Sequence, residues 1–169
     1  LIQTTHEEMN KILVVAVIMI FVVLCLATTA WTEPILFLLV MGVAVLLNKG
    51  TNIFIGTISF LTDNVAIILQ LATSMDYSIF LLDAYMNWRD TGLSEEEAIV
   101  KAVEEAINSI FASSLTTVVG FLALVTMKFN IGFDMGLVLA KGIIFSLLTV
   151  VLFMPAMILK FTRWNDKTK

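Results

Sequence analysis

The sequence predicts an all-α integral membrane protein, a five-span helical bundle with one cytoplasmic amphipathic helix. The composition is the first reason, because 59% of the residues are hydrophobic, 14% are charged and the mean hydropathy is +0.98. A soluble domain is roughly half apolar and a quarter charged. The second reason is that the apolar residues gather into five long runs separated by more polar segments, as in helices that cross a bilayer.

The five runs are predicted to be the spans, since a bilayer core of ~30 Å needs about 20 helical residues. They cover residues 12–31, 34–48, 64–82, 109–127 and 135–159. The fifth run contains Lys141 and is expected to close at Pro155, because proline removes a helix hydrogen bond. Residues 50–62 are uncharged and rich in Gly and Thr. They are either an external loop that dips into the interface or an extension of the flanking helices.

An amphipathic helix is predicted to begin at Ser94, because Ser94 and Glu97 have the spacing of a capping box. An apolar face follows at helical spacing, formed by Ile99, Val103, Ala106, Ile107 and Ile110. The helix is expected to lie on the cytoplasmic surface and to run into the fourth span. Either a simple connector or a regulatory contact fits this pattern.

The placement of basic residues predicts the orientation. With alternating spans, one side receives Arg89, Lys101, Lys160, Arg163, Lys167 and Lys169, and the other receives Lys11, Lys49 and Lys128. The side richer in Lys and Arg is expected to be cytoplasmic. The chain then starts outside and ends inside, which fits an odd number of spans.

Asp76 is the strongest candidate for a functional residue, because it lies near the middle of the apolar third span. A carboxylate at the centre of a membrane helix costs roughly 2.5–3.5 kcal/mol on insertion scales. Tyr77 follows directly, and a phenol can donate to a carboxylate or accept from a carboxylic acid. The pair therefore indicates an intramembrane ion or proton site.

Polar residues recur along the third span at three- and four-residue spacing, which predicts a shared helix face. They are Gln70, Thr73, Asp76 and Tyr77. Such a face is expected to meet protein or water rather than lipid. For Gln70 and Thr73, bonding between helices is as good an interpretation as a functional one.

Small and hydroxyl residues on the last two spans complete the candidate set. Those of the fourth span are Ser113, Thr116, Thr117 and Gly120. They either pack closely against another helix or hold a water beside Asp76. Gly132, Gly136 and Ala140 form a ladder of small residues at the start of the fifth span, which favours close helix packing. Lys141 either snorkels outward or lies in an aqueous path.

The sequence contains no motif that predicts an enzyme or a cofactor. There is no nucleophile elbow, P-loop, dinucleotide fingerprint or metal cluster, and the single histidine, His6, lies in the polar start. Nothing indicates a nucleic-acid partner. Energy for any transport would therefore come from an ion gradient or from a partner protein.

Three blocks of the sequence resemble one family. S-M-D-Y-S-I-F-L at residues 74–81 resembles the G-x-D-Y-A/S-I-F-L signature of the MMPL family, part of the resistance–nodulation–division (RND) superfamily. L-T-T-V-V-G-F at 115–121 is similar to its L-T-T-x-x-G-F block, and F-M-P-A at 153–156 to its L-x-P-A close. Ser74 replaces the usual glycine, and residues 84–87 lack the charges of the family's R-Y-R-E-E segment.

The resemblance implies an exporter of hydrophobic or lipid-like molecules driven by the proton motive force in a bacterial plasma (inner) membrane. The chain would be spans two to six of one six-span half. Residues 1–10 would be the tail of an extracytoplasmic domain, 11–160 the transmembrane domain and 161–169 a cytoplasmic tail or inter-half linker. The expected partners are membrane lipids, the other half of the transporter, a hydrophobic or lipid substrate and possible further copies.

Within that family pattern, Asp76 would be the proton acceptor and Tyr77 its partner across the interface between halves. No cofactor other than the proton gradient is implied. A sterol- or lipid-sensing membrane module and a scaffold subunit without ion coupling remain the alternatives, because both would use the same layout without cycling a charge.

Overall fold

The computed structural model describes residues 2–28 and 33–166, and within them the fold is all-α. The helices are α1 (Ile2–Ala27), α2 (Glu33–Thr51), α3 (Phe60–Asp90), α4 (Glu95–Leu124) and α5 (Asn130–Asp166). The predicted fold class is confirmed. Four helical segments are long and apolar enough to cross a membrane, and α1 contributes a shorter apolar stretch, Lys11–Leu26, among the described residues. Residues 29–31, the end of the predicted first span, lie outside the described residues.

Most helices extend beyond the predicted spans, although α4 ends at Leu124, three residues before the predicted end of the fourth span, and α1 ends at Ala27. α3 has 31 residues and is therefore about 46 Å long, which exceeds the ~30 Å hydrocarbon core. Hydropathy locates only the part of a helix that is apolar, whereas backbone hydrogen bonding continues into the polar ends. The same reason explains why α5 begins several residues before the fifth apolar run.

Pro155 does not end the fifth helix, and the sequence-based expectation is wrong on this point. α5 continues through Pro155 to Asp166. Proline removes one backbone hydrogen bond, but neighbouring helices make such a residue tolerable within a membrane bundle. Met154 and Ile158, on either side of Pro155, are 0% and 5% exposed and pack in the main core. Tertiary packing therefore holds the helix together across the proline.

The predicted amphipathic segment is helical and runs into the fourth span without a break, as the first half of α4. Its capping box is present: the Ser94 hydroxyl accepts from the Glu97 backbone N–H at 3.3 Å, and the Ser94 N–H donates to Glu97 Oε2 at 3.2 Å. Of its predicted apolar face, Ile99, Ala106 and Ile110 are buried in the core and Val103 packs against it, whereas Ile107 is 39% exposed. The buried residues of α4 are Ala98, Ile99, Ala102, Ala106, Ile110 and Ser114.

The segment between α2 and α3 is a short connection. α2 continues to Thr51, a single 3₁₀ turn covers Asn52–Phe54, and α3 begins at Phe60. Gly56 has φ +97°, a left-handed conformation that glycine adopts without a steric penalty. An ion pair of 3.0 Å between Lys49 Nζ and Asp63 Oδ2 joins the two helix ends.

α3 is the central helix of the bundle, because it packs against each of the other four. The main core lies along it, with Phe37 and Met41 of α2 and Val150 and Met154 of α5 almost fully buried. α4 is the least covered of the four long spans. Only 11% of its apolar window is buried inside the protein, against 44% for α3, so the bundle leaves a broad face of α4 open.

Candidate functional site

Asp76 lies one residue from the midpoint of α3 and is exposed on the surface of the bundle. Its neighbour Tyr77 is only 6% exposed and belongs to the main core. Consecutive helical residues are about 100° apart around the axis. The two members of the predicted pair therefore have different surroundings, one open and one enclosed.

The Tyr77 phenol connects α3 to α4, since its hydroxyl faces the side chains of Ser113 and Thr117. Thr117 donates its own proton to the Ser113 carbonyl at 2.9 Å, and Thr116 donates to the Ala112 carbonyl at 2.9 Å. The structure thus brings Tyr77 together with two of the hydroxyl residues predicted on the fourth span.

The predicted polar stripe of α3 divides into two parts. Gln70 is 2% exposed and lies inside the bundle, and Thr73 is partly buried and bonds its own helix through the Leu69 carbonyl at 3.0 Å. Asp76 is about 120° around the helix from Gln70, whereas Tyr77 is about 20° from it. The three- and four-residue spacing had therefore grouped residues whose directions around the helix axis differ by up to about 120°.

Asp76 belongs to what we call the uncovered face, formed by Ala72 and Asp76 of α3 and Thr116 and Gly120 of α4. All four residues are exposed. Because Tyr77 reaches Ser113 and Thr117, the two helices lie side by side at this level. The exposed carboxylate therefore lies on a helix that packs beside the one carrying the small and hydroxyl residues.

The small residues predicted for packing differ in their surroundings. A Cβ on Gly136 would lie 2.7 Å from the Phe121 carbonyl oxygen, so this glycine permits the close contact of α5 with α4. Gly132 lies against Met127, and Ala140 is 4% exposed. A Cβ on Gly120 would meet nothing within 4 Å, because this glycine lies on the uncovered face.

A polar junction that the sequence did not single out joins α2, α3 and α5. Asn48 Nδ2 donates to Gln70 Oε1 at 2.8 Å, and Gln70 Nε2 donates to the Ala44 carbonyl at 2.9 Å. Lys141 Nζ donates to the Asn48 carbonyl at 3.1 Å and to Asn52 Oδ1 at 2.6 Å. Lys141 therefore contacts the end of α2, and neither interpretation of the sequence included this contact.

Some of these residues carried a usable signal in the sequence. Gln70 was identified, and Asn48 closes the second apolar run, but their pairing depends on the fold. A second hydroxyl contact, 2.6 Å between Ser74 Oγ and Ser146 Oγ, links α3 to α5. Ser74 was noted only as a departure from the family signature. The four-residue spacing of Gln70, Ser74 and Ser78 was the available clue.

The fold and this site define a polytopic α-helical membrane protein whose central helix carries a carboxylate on an uncovered face. The MMPL family model matches residues 1–169. The chain therefore belongs to the MMPL family, as its sequence blocks predicted.

Three relatives are similar to parts of the chain. A putative membrane protein of Methanocaldococcus jannaschii is 39% identical over 90 residues, 53% of this chain and 23% of that protein. The putative membrane protein ActII-3 of Streptomyces coelicolor is 26% identical over 86% of this chain and 22% of its own length. The probable transport protein MmpL9 of Mycobacterium tuberculosis is 27% identical over 86% of this chain and 15% of its own length.

The chain thus spans less than a quarter of the length of each of these relatives. No solved structure shows significant similarity to it. Two of the matched Mycobacterium tuberculosis proteins, MmpL9 and MmpL12, are named as probable transport proteins.

Proposed function

We propose that this chain forms part of the membrane domain of an exporter driven by the proton motive force, which moves hydrophobic or lipid-like molecules. Asp76 accepts and releases the proton, and Tyr77 assists it. The observation that carries the proposal is the exposed position of Asp76 at the middle of the central helix. A structural carboxylate would be expected to have a fixed partner within its own bundle, since an isolated charge facing lipid is costly.

The uncovered face supplies a place for the missing partner. A second helical bundle packed there would enclose Asp76 between two sets of helices and exclude lipid from it. The Tyr77 hydroxyl lies near Ser113 and Thr117, and Tyr77 is next to Asp76 in the sequence. In this arrangement the second bundle is the other half of the same transporter.

Proton binding would then act as a switch between two packed states. A charged Asp76 attracts polar groups of the opposing bundle, and protonation removes that attraction. Each proton that crosses a potential of 100 mV supplies about 2.3 kcal/mol, which is enough to shift the balance between two conformations. We place the start of the chain outside and its end in the cytoplasm of a bacterial cell, as the basic residues indicate.

Transport in inverted membrane vesicles tests this function. The full-length protein that contains this chain would be assayed with a panel of fluorescent lipids and lipophilic dyes, with and without an imposed pH gradient. We expect Asp76→Asn to abolish gradient-driven transport at normal membrane insertion. Asp83→Asn is the matched control, because Asp83 is exposed on the same helix, two turns away, and is expected to retain transport.

Two outcomes would count against the proposal. If the wild-type protein moves none of the probes, hydrophobic export is wrong. If Asp76→Asn transports as well as the wild type, the carboxylate is structural, and a lipid-sensing or scaffold role becomes the better account.

A further inference from the structure

A buried column of polar side chains runs along the side of α3 that is opposite Asp76. Gln70, Ser74 and Ser78 follow one another at four-residue spacing and are 2%, 0% and 0% exposed. Four residues advance the helix by about 6 Å and turn it by only about 40°. The column therefore faces one side, toward α5.

The contacts of this column fix the register between α3 and α5. Gln70 Oε1 lies 3.3 Å from the position of a Cβ on Gly142, and Ser74 Oγ donates to Ser146 Oγ at 2.6 Å. Both pairs are separated by 72 positions in the chain. The next layer along the two helices therefore brings Ser78 to the level of residues 149 and 150, where Thr149 is 1% exposed. We call Ser74, Ser78, Ser146 and Thr149 the α3–α5 seam.

Two hydroxyls of the seam have no hydrogen-bond partner among the described residues, namely Ser78 Oγ and Thr149 Oγ1. Leaving a buried polar group unpaired costs about 1–3 kcal/mol, and native proteins seldom do so. Tyr85, two turns after Ser78 on α3, also has a buried and unpaired hydroxyl. The seam thus contains more buried hydroxyl groups than hydrogen bonds that could satisfy them.

Other hydroxyls of the spanning helices avoid this cost by bonding to their own backbone. Thr73, Thr116 and Thr117 each donate to the carbonyl four residues earlier at 2.9–3.0 Å. Ser78 and Thr149 have the same option in a helix, but neither makes this bond. Because both side chains are almost fully buried, a partner between the helices is needed to satisfy them.

We propose that the α3–α5 seam binds ordered water at Ser78 and Thr149, one turn beyond the Ser74–Ser146 hydrogen bond. Water fits because every side chain of the seam is a neutral hydroxyl that both donates and accepts, and buried water usually satisfies groups of this kind. This site is independent of proton transfer at Asp76, which lies on the other side of α3. Water bound at Ser78 and Thr149 would hydrate the contact between α3 and α5 at the middle of the membrane.

A double-mutant cycle on the full-length protein in detergent tests the proposal. Ser78→Ala removes one oxygen, and Thr149→Val keeps the shape of the side chain, so neither change creates a large cavity. If the two hydroxyls share bound water, each single substitution weakens the binding of that water and leaves the other hydroxyl without a hydrogen-bond partner. We then expect the Tm to fall by a few degrees in each single variant, and the double variant to lose clearly less than the sum.

Ser114→Ala is the control for this cycle, because Ser114 is 2% exposed and bonds the Phe111 carbonyl of its own helix at 3.0 Å. Its effect is expected to add to that of either seam variant. Single seam variants that raise the Tm or leave it unchanged, with additive effects, would show a dry seam and overturn the proposal.

A second readout does not depend on stability. In the full-length protein with Cys25 and every other cysteine replaced, Ser78→Cys places a thiol in the seam, and Leu81→Cys places one at a core position that is 1% exposed. Infrared spectra after transfer to deuterated water should show rapid S–H to S–D exchange only for Ser78→Cys. Equal protection of both thiols would contradict bound water. A Tm that rises with sodium but not with potassium would assign the seam to a cation instead.

Discussion

At the scale of single residues, Asp76 and Tyr77 show how adjacent positions take different roles. The Tyr77 ring is buried and its hydroxyl is held near Ser113 and Thr117, so its position is fixed by this bundle alone. Asp76 is exposed, so its environment depends on whatever covers it. A phenol in a fixed position next to a carboxylate whose surroundings can change is the arrangement expected for a carboxylate that gains and loses a proton during a transport cycle.

Gly142 is the residue at which the polar junction is most sensitive to volume. A Cβ there would lie 2.8 Å from Asn48 Nδ2 and 3.3 Å from Gln70 Oε1. We expect Gly142→Ala to destabilise the protein by about 1–3 kcal/mol, as overpacking of a core does, with a lower Tm in detergent. Gly42→Ala is the control, because a Cβ there meets nothing within 4 Å and alanine favours the helix. Equal Tm values for the two variants would contradict the tight junction.

At the scale of helices, the sequence predicted which segments are helical but not where they end. Uninterrupted apolar runs identify membrane helices because the bilayer offers the backbone no other partner. The prediction that the helix ends at Pro155 was wrong, because local helix propensity does not take account of the packing of Met154 and Ile158 around it. The first half of α4 was predicted from its capping box and periodicity, and only its burial against the bundle required the fold.

The capping box of α4 gives a test at this scale. Ser94→Ala removes the acceptor of the Glu97 N–H and the 2.7 Å bond from Ser94 Oγ to Glu97 Oε2. Loss of an N-cap costs about 0.5–2 kcal/mol. We expect faster hydrogen–deuterium exchange of the amides in the first turn of α4. Ser109→Ala, an exposed position later in the same helix, should leave this exchange unchanged, and protection equal to wild type in Ser94→Ala would argue against the cap.

The candidate site was predicted only in part, for reasons of helix geometry. Asp76 and Tyr77 were identifiable because a charge within an apolar run is costly. Gln70 was placed on the face of Asp76, although the two are about 120° apart on the helix and only Gln70 faces inward. Ser146 and Thr149 were overlooked, because neutral hydroxyls scarcely change the hydropathy of a span and their burial follows from the packing of α3 on α5.

At the scale of the whole molecule, the helices enclose a core along α3 but leave part of α3 and α4 at the surface. α3 is packed by every other helix, yet the uncovered face leaves Ala72, Asp76, Thr116 and Gly120 exposed. The chain also corresponds to less than a quarter of the relatives reported above. We infer that the uncovered face packs against another part of the full-length protein rather than against lipid alone.

Gly120 distinguishes packing from lipid exposure. Within this bundle a side chain at Gly120 meets nothing within 4 Å, so Gly120→Leu should insert and fold normally if the face contacts only lipid. If a second bundle packs there, the added volume separates the two and transport should be lost. Gly42→Leu serves as the control for a bulky residue at an open helical glycine. Full transport by Gly120→Leu would contradict a packed interface at this face.

The central claim is that Asp76 binds and releases a proton within an apolar environment, and carbodiimide labelling of the full-length protein in lipid vesicles tests it most directly. A hydrophobic carbodiimide modifies protonated carboxyl groups, and mass spectrometry locates the product. We expect Asp76 to be modified, with a yield that falls as the pH is raised, while Asp83 is labelled far less. Absence of labelling at Asp76 at every pH, or equal labelling of Asp83, would contradict the account.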